Sequence, residues 1–485
     1  MKNQAQLIAY VDRLPGGTFR DLRHLIDGPF NGAFGGLHVL PFFHRIDGAD
    51  AGFDPIDHTQ VDQRLGTWDD VAALAARTDV MADVIVNHIS RRSPQFQDFD
   101  QRGDDSRYAG MFLTCSRVFP HGASEADLIA LSTPRPALPF TKYRTAQGKD
   151  VLLWTTFTSE QVDIDVHHAE GRHYLQSVLA RLHAAGIRAI RLDAVGYAIK
   201  KAGTSCFMLP ETFAFIDDIT AQAHGLGIEV LVEIHGHYQD QIEVSRRVDW
   251  VYDFALPPLM LHTMYTRDSS ALRRWLEMRP HNIITVLDTH DGIGVVDADG
   301  LLAAQEINSL VETIHVRSRE ESRLASGSAA GNVDTSQINC TFYDALGRRD
   351  GEYLIARAIQ CFIPGIPQLY YVGLLAGSND IDLLRRTGVG RDINRHYYES
   401  AEVSEAMSRP VVQSLLSLVR VRNTHPAFGG TFTIEPSPAD RLVLRWDNHD
   451  DWAQLDADLS RICASISAGG SAKPSGAQVW NSNPE

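Results

Sequence analysis

Eight short apolar runs, each followed by a stretch of helical periodicity, constrain this chain more than anything else in its sequence. The runs are Leu7–Val11, Gly36–Phe42, Val80–Val86, Gly186–Leu192, Ile228–Ile234, Val248–Phe254, Asn282–Leu287 and Ile366–Val372. Between them lie amphipathic segments such as Phe19–Ile26, Trp68–Arg77, Tyr174–Ala185, Phe215–Gly225 and Ala271–Met278. Nearly continuous apolar strands need cover on both faces, which parallel strands with crossover helices provide. A doubly wound sheet would alternate in the same way, but no G-x-G-x-x-G closes the first strand. The pattern therefore predicts an α/β chain built on a closed (β/α)8 TIM barrel.

Two intervals are too long to be ordinary βα loops. The pattern predicts a barrel over 1–87, 168–291 and 351–428, with one insertion after strand three (88–167, rich in Pro, Gly, Ser and Arg) and another after strand seven (292–350). After a helix at Val411–Arg420, residues 429–485 turn polar, with short strand signals at Phe432–Ile434 and Leu442–Trp446. They read as a small β domain, irregular and flexible towards its end, where the chain runs SAGGSAKPSG.

Placed on that barrel, the chemistry-bearing side chains gather at the C-terminal ends of strands, where barrel enzymes present their catalytic groups. Strand three ends in Asp83, Asn87 and His88, strand four in Arg191 and Asp193, strand five in Glu233 and His235, and strand seven in His290 and Asp291. Arg191 and Asp193, two apart on a strand, share a face, and a guanidinium beside a carboxylate favours its ionised form. Alone, such a pair is an ordinary strand-end ion pair. Three carboxylates converging from strands four, five and seven suit retaining glycosyl transfer: a nucleophile, an acid that becomes a base, and a group that steadies the oxocarbenium-like state.

Net charge narrows the partners. At −16 the chain lacks the basic balance of a general nucleic-acid binder, and an anionic substrate must be met by a local cationic pocket. Five scattered cysteines without a C-x-x-C favour free thiols over a disulfide framework or a zinc site. No segment approaches the run of about 18 apolar residues that a membrane span needs, and the expected location is the cytoplasm.

The stretches DVIVNH, IRLDAV, LVEIH and VLDTHD resemble the four motif regions of the α-amylase superfamily, glycoside hydrolase family 13. DGADAGFDPIDHTQVD, AVGYAIKKAGTSCF, YDFALPPL and YYVGLLAG with GRDINRHYY resemble the sucrose phosphorylase-like group within it. The resemblance implies that Asp193 is the nucleophile, Glu233 the acid/base and Asp291 the transition-state stabiliser. It implies that Asp50 and Arg391 grip the far hydroxyl of a glucosyl ring, with Phe53, His88, Phe157, Gln161, Arg191 and His290 completing the pocket. Glu233, which must donate a proton, is expected in drier surroundings than Asp193, and the two carboxylates about 5–5.5 Å apart.

A phosphorylase must seat phosphate beside the anomeric carbon, so cationic donors are needed there. Arg135 in TPRPALPF and His235 are the candidates, with Lys142 and Arg144 close by in sequence. The chain departs from the family pattern in VDTSQINCTFYDALG: Asp334 and Gln337 are retained, whereas Thr335 and Ser336 replace an apolar and an aromatic residue. That implies a wider, more polar acceptor site. The expectation is a permissive phosphorylase acting on sucrose 6′-phosphate and sucrose with inorganic phosphate, needing no cofactor or metal, as a monomer or homodimer. A glucosylglycerol phosphorylase, or a hydrolase or isomerase of the superfamily, is the alternative.

Overall fold

The apolar runs become the strands of a closed parallel barrel: β1 (Gln6–Ala9), β2 (Gly36–Val39), β3 (Asp79–Ile85), β4 (Ala189–Asp193), β5 (Glu229–Val232), β6 (Trp250–Asp253), β7 (Ile283–Thr285) and β8 (Ile366–Tyr370). Each strand pairs with its neighbours in sequence, and β8 closes the ring on β1 with Gln368 opposite Gln6. The computed structural model describes residues 1–48, 50–135, 137–326, 337–470 and 473–482. Asp334, Thr335 and Ser336 lie outside the described residues.

The strands are shorter than the apolar runs that announce them, for local reasons. β4 begins at Ala189 because Gly186, at φ 79°, makes the left-handed turn that ends the preceding helix, Ala169–Ala184. Helix starts follow capping chemistry: Thr18 accepts from the Asp21 amide, and Thr67 and Asp70 cap each other reciprocally.

The barrel's interior is not purely apolar. Tyr252 on β6 donates to Gln368 (3.0 Å) and meets His38 on β2 (3.1 Å), whose other ring nitrogen reaches Asp83 on β3 (3.2 Å). Asp83 in turn pairs with Arg191, its register partner on β4. All five side chains are buried, so this is a fully connected polar chain running from the barrel's axis to its mouth.

Between β3 and β4 the chain forms a short strand pair (His88–Ser90 with Gln161–Asp163), a helix (Pro94–Arg102) and a hairpin (Phe140–Arg144 with Asp150–Trp154). It carries a small apolar cluster of its own around Leu113, Phe119, Leu131 and Trp154. Between β7 and β8 lie the helices Ala304–Arg317, Glu321–Ser326 and Asp350–Phe362. Glu352 to Phe362 are buried without interruption, since this helix lies against β8, the helix Pro410–Thr424 and the tail.

The tail is an antiparallel sheet of β9 (Thr431–Glu435), β10 (Arg441–Asn448), β11 (Asp451–Asp458), β12 (Cys463–Gly470) and β13 (Lys473–Asn481). Most of SAGGSAKPSG, expected to be a flexible end, lies in β12 and β13, while the expected irregularity remains as register shifts at Ile466/Ser467 and Ala468/Gly470. Backbone pairing of β12 with β11 and of β13 with β12 overrides the composition. Trp446 joins tail to barrel, its indole N–H donating to the Phe362 carbonyl at 2.6 Å. Trp446→Phe keeps the ring but orphans that buried carbonyl, and is expected to cost about 1–3 kcal/mol, read as a lower urea midpoint. Among the described residues no helix is long and apolar enough to cross a membrane, and all five cysteines are free thiols.

Candidate active site

β4 ends in the alternation that puts Arg191 and Asp193 on one face, and Arg191 is the hub of the site. Its Nη1 pairs with Asp83 and lies 3.2 Å from Asp193, while its Nη2 pairs with Glu233, just beyond β5. Two carboxylates thus face one cavity from the two ends of a single buried guanidinium. Ala194, directly after Asp193, sits in the left-handed region (φ 56°) and turns the chain sharply away behind the carboxylate.

Asp193, Glu233, His235, His290, Asp291 and Arg391 share one cavity of about 100 Å³ with Asp50, Phe53, His88, Phe157, Gln161 and Gln337. Phe53 stacks on His290 with ring centroids 4.6 Å apart, and His88 packs against Phe157. His88 and Gln161 both reach the Phe53 carbonyl, at 2.9 and 3.2 Å. Tyr197 and Phe207 extend this aromatic wall; nothing in their sequence context distinguishes them from core aromatics.

The far end of the cavity is closed by charge. Arg391 Nη1 lies 2.7 Å from Asp291 and 3.6 Å from Asp50. The nearer guanidinium to Asp50 is that of Arg395, at 3.2 Å, which also donates to the His290 carbonyl at 2.9 Å. Sequence reasoning missed Arg395; its only signal is its place four residues after Arg391 in GRDINR.

Burial works against every charge here, and the partners decide the outcome. Burial would raise the Asp50 and Asp291 carboxyls, but arginines outweigh it: Arg395, Arg391 and Arg135 hold Asp50 below its ordinary value, and Arg391 with its neighbours holds Asp291 well below. Burial keeps His290 and His88 neutral at ordinary pH. For His235, burial is outweighed by the Asp297 carboxylate, then by Glu233 and Asp291, and its imidazole is pushed up to about 9.

Asp193 behaves otherwise. Burial, together with the negative charge of Glu233, Asp83 and Asp291, raises its carboxyl well above the ordinary range despite Arg191. Exposure separates the two carboxylates little: the Asp193 and Glu233 side chains are 12% and 10% exposed, so the expected dryness of Glu233 is slight. Two carboxylates crowd one guanidinium, and the carboxyl that this crowding raises is that of Asp193.

One atom each of Glu233, His235 and Asp291 lie within 4.8 Å of one another. That spacing would admit a cation, but Arg191, Arg391 and the His235 imidazolium already supply the positive charge. Arg135 is buried behind Pro134, which lines the cavity. Gln337 accepts from the Gly292 amide at 3.1 Å. Lys142 and Arg144 are corrected: they lie on the exposed side of the hairpin, 79% and 70% exposed, and face Asp150.

A barrel mouth with three carboxylates, one at the end of a strand and two in the segments that follow two others, is the arrangement of a glycoside-processing enzyme, and the comparisons agree. The family described as alpha amylase, catalytic domain, matches residues 33–241. The chain is 58% identical to a sucrose phosphorylase of Agrobacterium vitis over 97% of its own length and 98% of that protein's. It is 49% identical to a sucrose phosphorylase of Bifidobacterium adolescentis, over 95% and 93%. The crystal structure of a sucrose 6F-phosphate phosphorylase from Thermoanaerobacter thermosaccharolyticum superposes with a TM-score of 0.92 at 38% identity, covering 99% of this chain and 98% of that one. The chain belongs to the α-amylase family, glycoside hydrolase family 13, in its sucrose phosphorylase-like group. Its activity class is that of a glucosyl phosphorylase, a glycosyltransferase.

Proposed function

We propose that this enzyme transfers the glucosyl unit of a sucrose-type α-glucoside to inorganic phosphate, with retention, through a covalent glucosyl intermediate on Asp193. In the first step an Asp193 oxygen bonds to the anomeric carbon as the glycosidic C–O bond breaks, and Glu233 gives its proton to the leaving oxygen. In the second, a phosphate oxygen attacks the same carbon, the bond to Asp193 breaks, and the phosphate proton passes to Glu233. Asp291, held ionised by Arg391, faces the positive charge that develops on the ring. The approach of that charge also favours ionised Asp193, the form that attacks.

One observation carries this reading: Asp193 and Glu233 occupy the two ends of the Arg191 guanidinium and line one cavity with Asp291. Asp50, between Arg391 and Arg395, forms the end wall and accepts from a sugar hydroxyl there, limiting the site to one ring. His235 and Arg135 supply the cationic donors for phosphate. The outward placement of Lys142 removes the extra cation that a phosphorylated fructose would use, which favours sucrose over sucrose 6′-phosphate.

The test is glucose 1-phosphate release from sucrose, sucrose 6′-phosphate and 2-O-glucosylglycerol, each with and without phosphate. Phosphate-dependent glucose 1-phosphate from sucrose, fastest of the three, is expected. Free glucose at a rate indifferent to phosphate would replace this reading with a hydrolase.

A further inference from the structure

We propose that Asp297 is a positioning residue that holds His235 as an imidazolium with its Nε2–H aimed at the incoming phosphate. The inference rests on the phosphorolytic reading and adds a residue that does not line the cavity.

The geometry begins with the His235 ring. It stacks on Phe254 at 3.9 Å between centroids and 16° between planes, so its plane is fixed. Its Nδ1 meets Asp297 Oδ2 at 3.3 Å, which fixes its direction. Asp297, in the single turn Val296–Ala298, is 0% exposed and is itself held: Oδ1 accepts from the Gly236 amide at 3.2 Å and from Gln241 Nε2 at 3.1 Å. A side chain at Gly294 would collide with Asp297, so the approach of the two loops depends on that glycine.

The other ring nitrogen points into the cavity. His235 Nε2 is 3.7 Å from Glu233 and 4.0 Å from Asp291, and it is buried without a hydrogen-bond partner among the described residues. Its state follows from Asp297. A carboxylate at Nδ1 requires a proton there, so a neutral ring would turn a bare lone pair at Nε2 towards the cavity and repel a phosphate oxygen. With the Asp297 carboxylate at Nδ1, only the imidazolium presents an N–H at Nε2. The groups facing this ring are Asp297, Glu233 and Asp291, the latter two already paired with Arg191 and Arg391. Asp297 alone has no cationic partner other than His235 among its described contacts. A buried carboxylate placed behind an imidazole, with its remaining oxygen fully bonded, is a device for keeping that imidazole charged.

The experiment compares wild type with Asp297→Asn in the full enzyme, measuring KM for inorganic phosphate and the partition of sucrose turnover between glucose 1-phosphate and free glucose. The Asn carbonyl keeps the Gly236 and Gln241 bonds and its NH2 faces Nδ1, so the fold contacts survive; the neutral ring then carries its proton on Nε2, and the variant removes the charge behind that N–H while keeping the N–H itself. In wild type the phosphate KM is expected to stay level to about pH 8 and to climb near 9, as the imidazolium is lost. In Asp297→Asn that climb moves to lower pH, because burial is less opposed. The ratio of variant to wild-type KM should be near unity at about pH 5.5 and roughly tenfold at about pH 8, with the partition shifted towards free glucose by a similar factor. Taking the ratio at each pH cancels phosphate's own ionisation.

His235→Gln leaves Asp297 in place and is the control should Asp297→Asn not fold: its phosphate KM should lack the climb near pH 9. Asp297→Asn made on that background should add less than about a twofold effect. A ratio independent of pH, an equal loss of phosphorolysis and hydrolysis, or full additivity of the two substitutions would each overturn the role of Asp297. Failure of the wild-type enzyme to make glucose 1-phosphate would instead remove the functional reading beneath it.

Discussion

Asp193→Asn is expected to lower glucosyl transfer about ten-thousandfold or more while leaving the folded enzyme at least as stable as wild type. The amide has nearly the shape of the carboxylate and can still accept from Arg191 Nη1, so the pocket keeps its form. On the proposed mechanism it cannot form the ester to the anomeric carbon, and neither half-reaction then has another route. The stability half follows from crowding. Asp193 is pushed up first by burial and then by Glu233, Asp83 and Asp291, so ionising it costs the native state. A carboxyl whose pKa is higher folded than unfolded binds more protons in the native state, and stability falls as pH rises above the unfolded value of about 4. Asn removes that penalty. Its gain should be present at neutral pH and fade below about pH 4, read as urea midpoints across that range. Residual phosphorolysis above about one per cent would remove Asp193 as nucleophile; a lower midpoint at neutral pH would show that its charge supports the fold.

The same crowding explains how far the site can be read from sequence. Strand ends place Asp193, Glu233 and Asp291 at the mouth because barrel topology puts every C-terminal strand end there. What strand position cannot say is how one guanidinium divides itself between carboxylates, or that Asp193 and Glu233 are buried almost equally. Arg395 and Asp297 fall outside the strand ends altogether. They act through contacts between loops about 345 and 62 residues apart in the chain, and short-range pattern carries no record of such pairings.

Lys142 shows the opposite failure. It stands seven residues from Arg135 in sequence, but it lies on the first strand of a β-hairpin, whose exposed side takes the lysine to solvent. In the tail, SAGGSAKPSG carries the residues of a linker, yet an adjacent strand with unpaired backbone groups recruits most of it into the sheet. The fold was more legible than the site because periodicity reports burial directly. The polar chain from Tyr252 to Arg191 was not legible, since its members look like isolated exceptions in apolar runs.

Lys200 offers the largest expected effect on stability, and it too lay unmarked within AVGYAIKKAGTSCF. Its side chain is 1% exposed and its Nζ lies 2.8 Å from Asp163 Oδ2, a carboxylate that is 0% exposed. The ammonium also donates to Asn87 Oδ1 at 2.8 Å and to the Tyr197 carbonyl. It thus ties the end of β3, the turn after β4 and the insertion between them, directly behind the wall formed by His88 and Phe157. Asp163 uses its other capacity on Thr156 and Asn87, at 2.9 Å from the Thr156 amide and 3.0 Å from Asn87 Nδ2, but these are neutral donors. Lys200→Met fills the space and removes the charge, leaving a buried carboxylate without a counter-ion; the expected cost is about 3–5 kcal/mol, read from urea unfolding. Lys200→Ala should lose at least as much, with one difference. It leaves the oxygens of Asp163, Asn87 and Tyr197 around an open space, the donor type that hard divalent cations prefer. Millimolar calcium is therefore expected to restore part of the stability of Lys200→Ala and none of that of Lys200→Met, whose methyl group occupies the space. Equal behaviour of the two variants with calcium, or a loss below about 1 kcal/mol in Lys200→Met, would show that the Lys200 charge is not what holds this junction together.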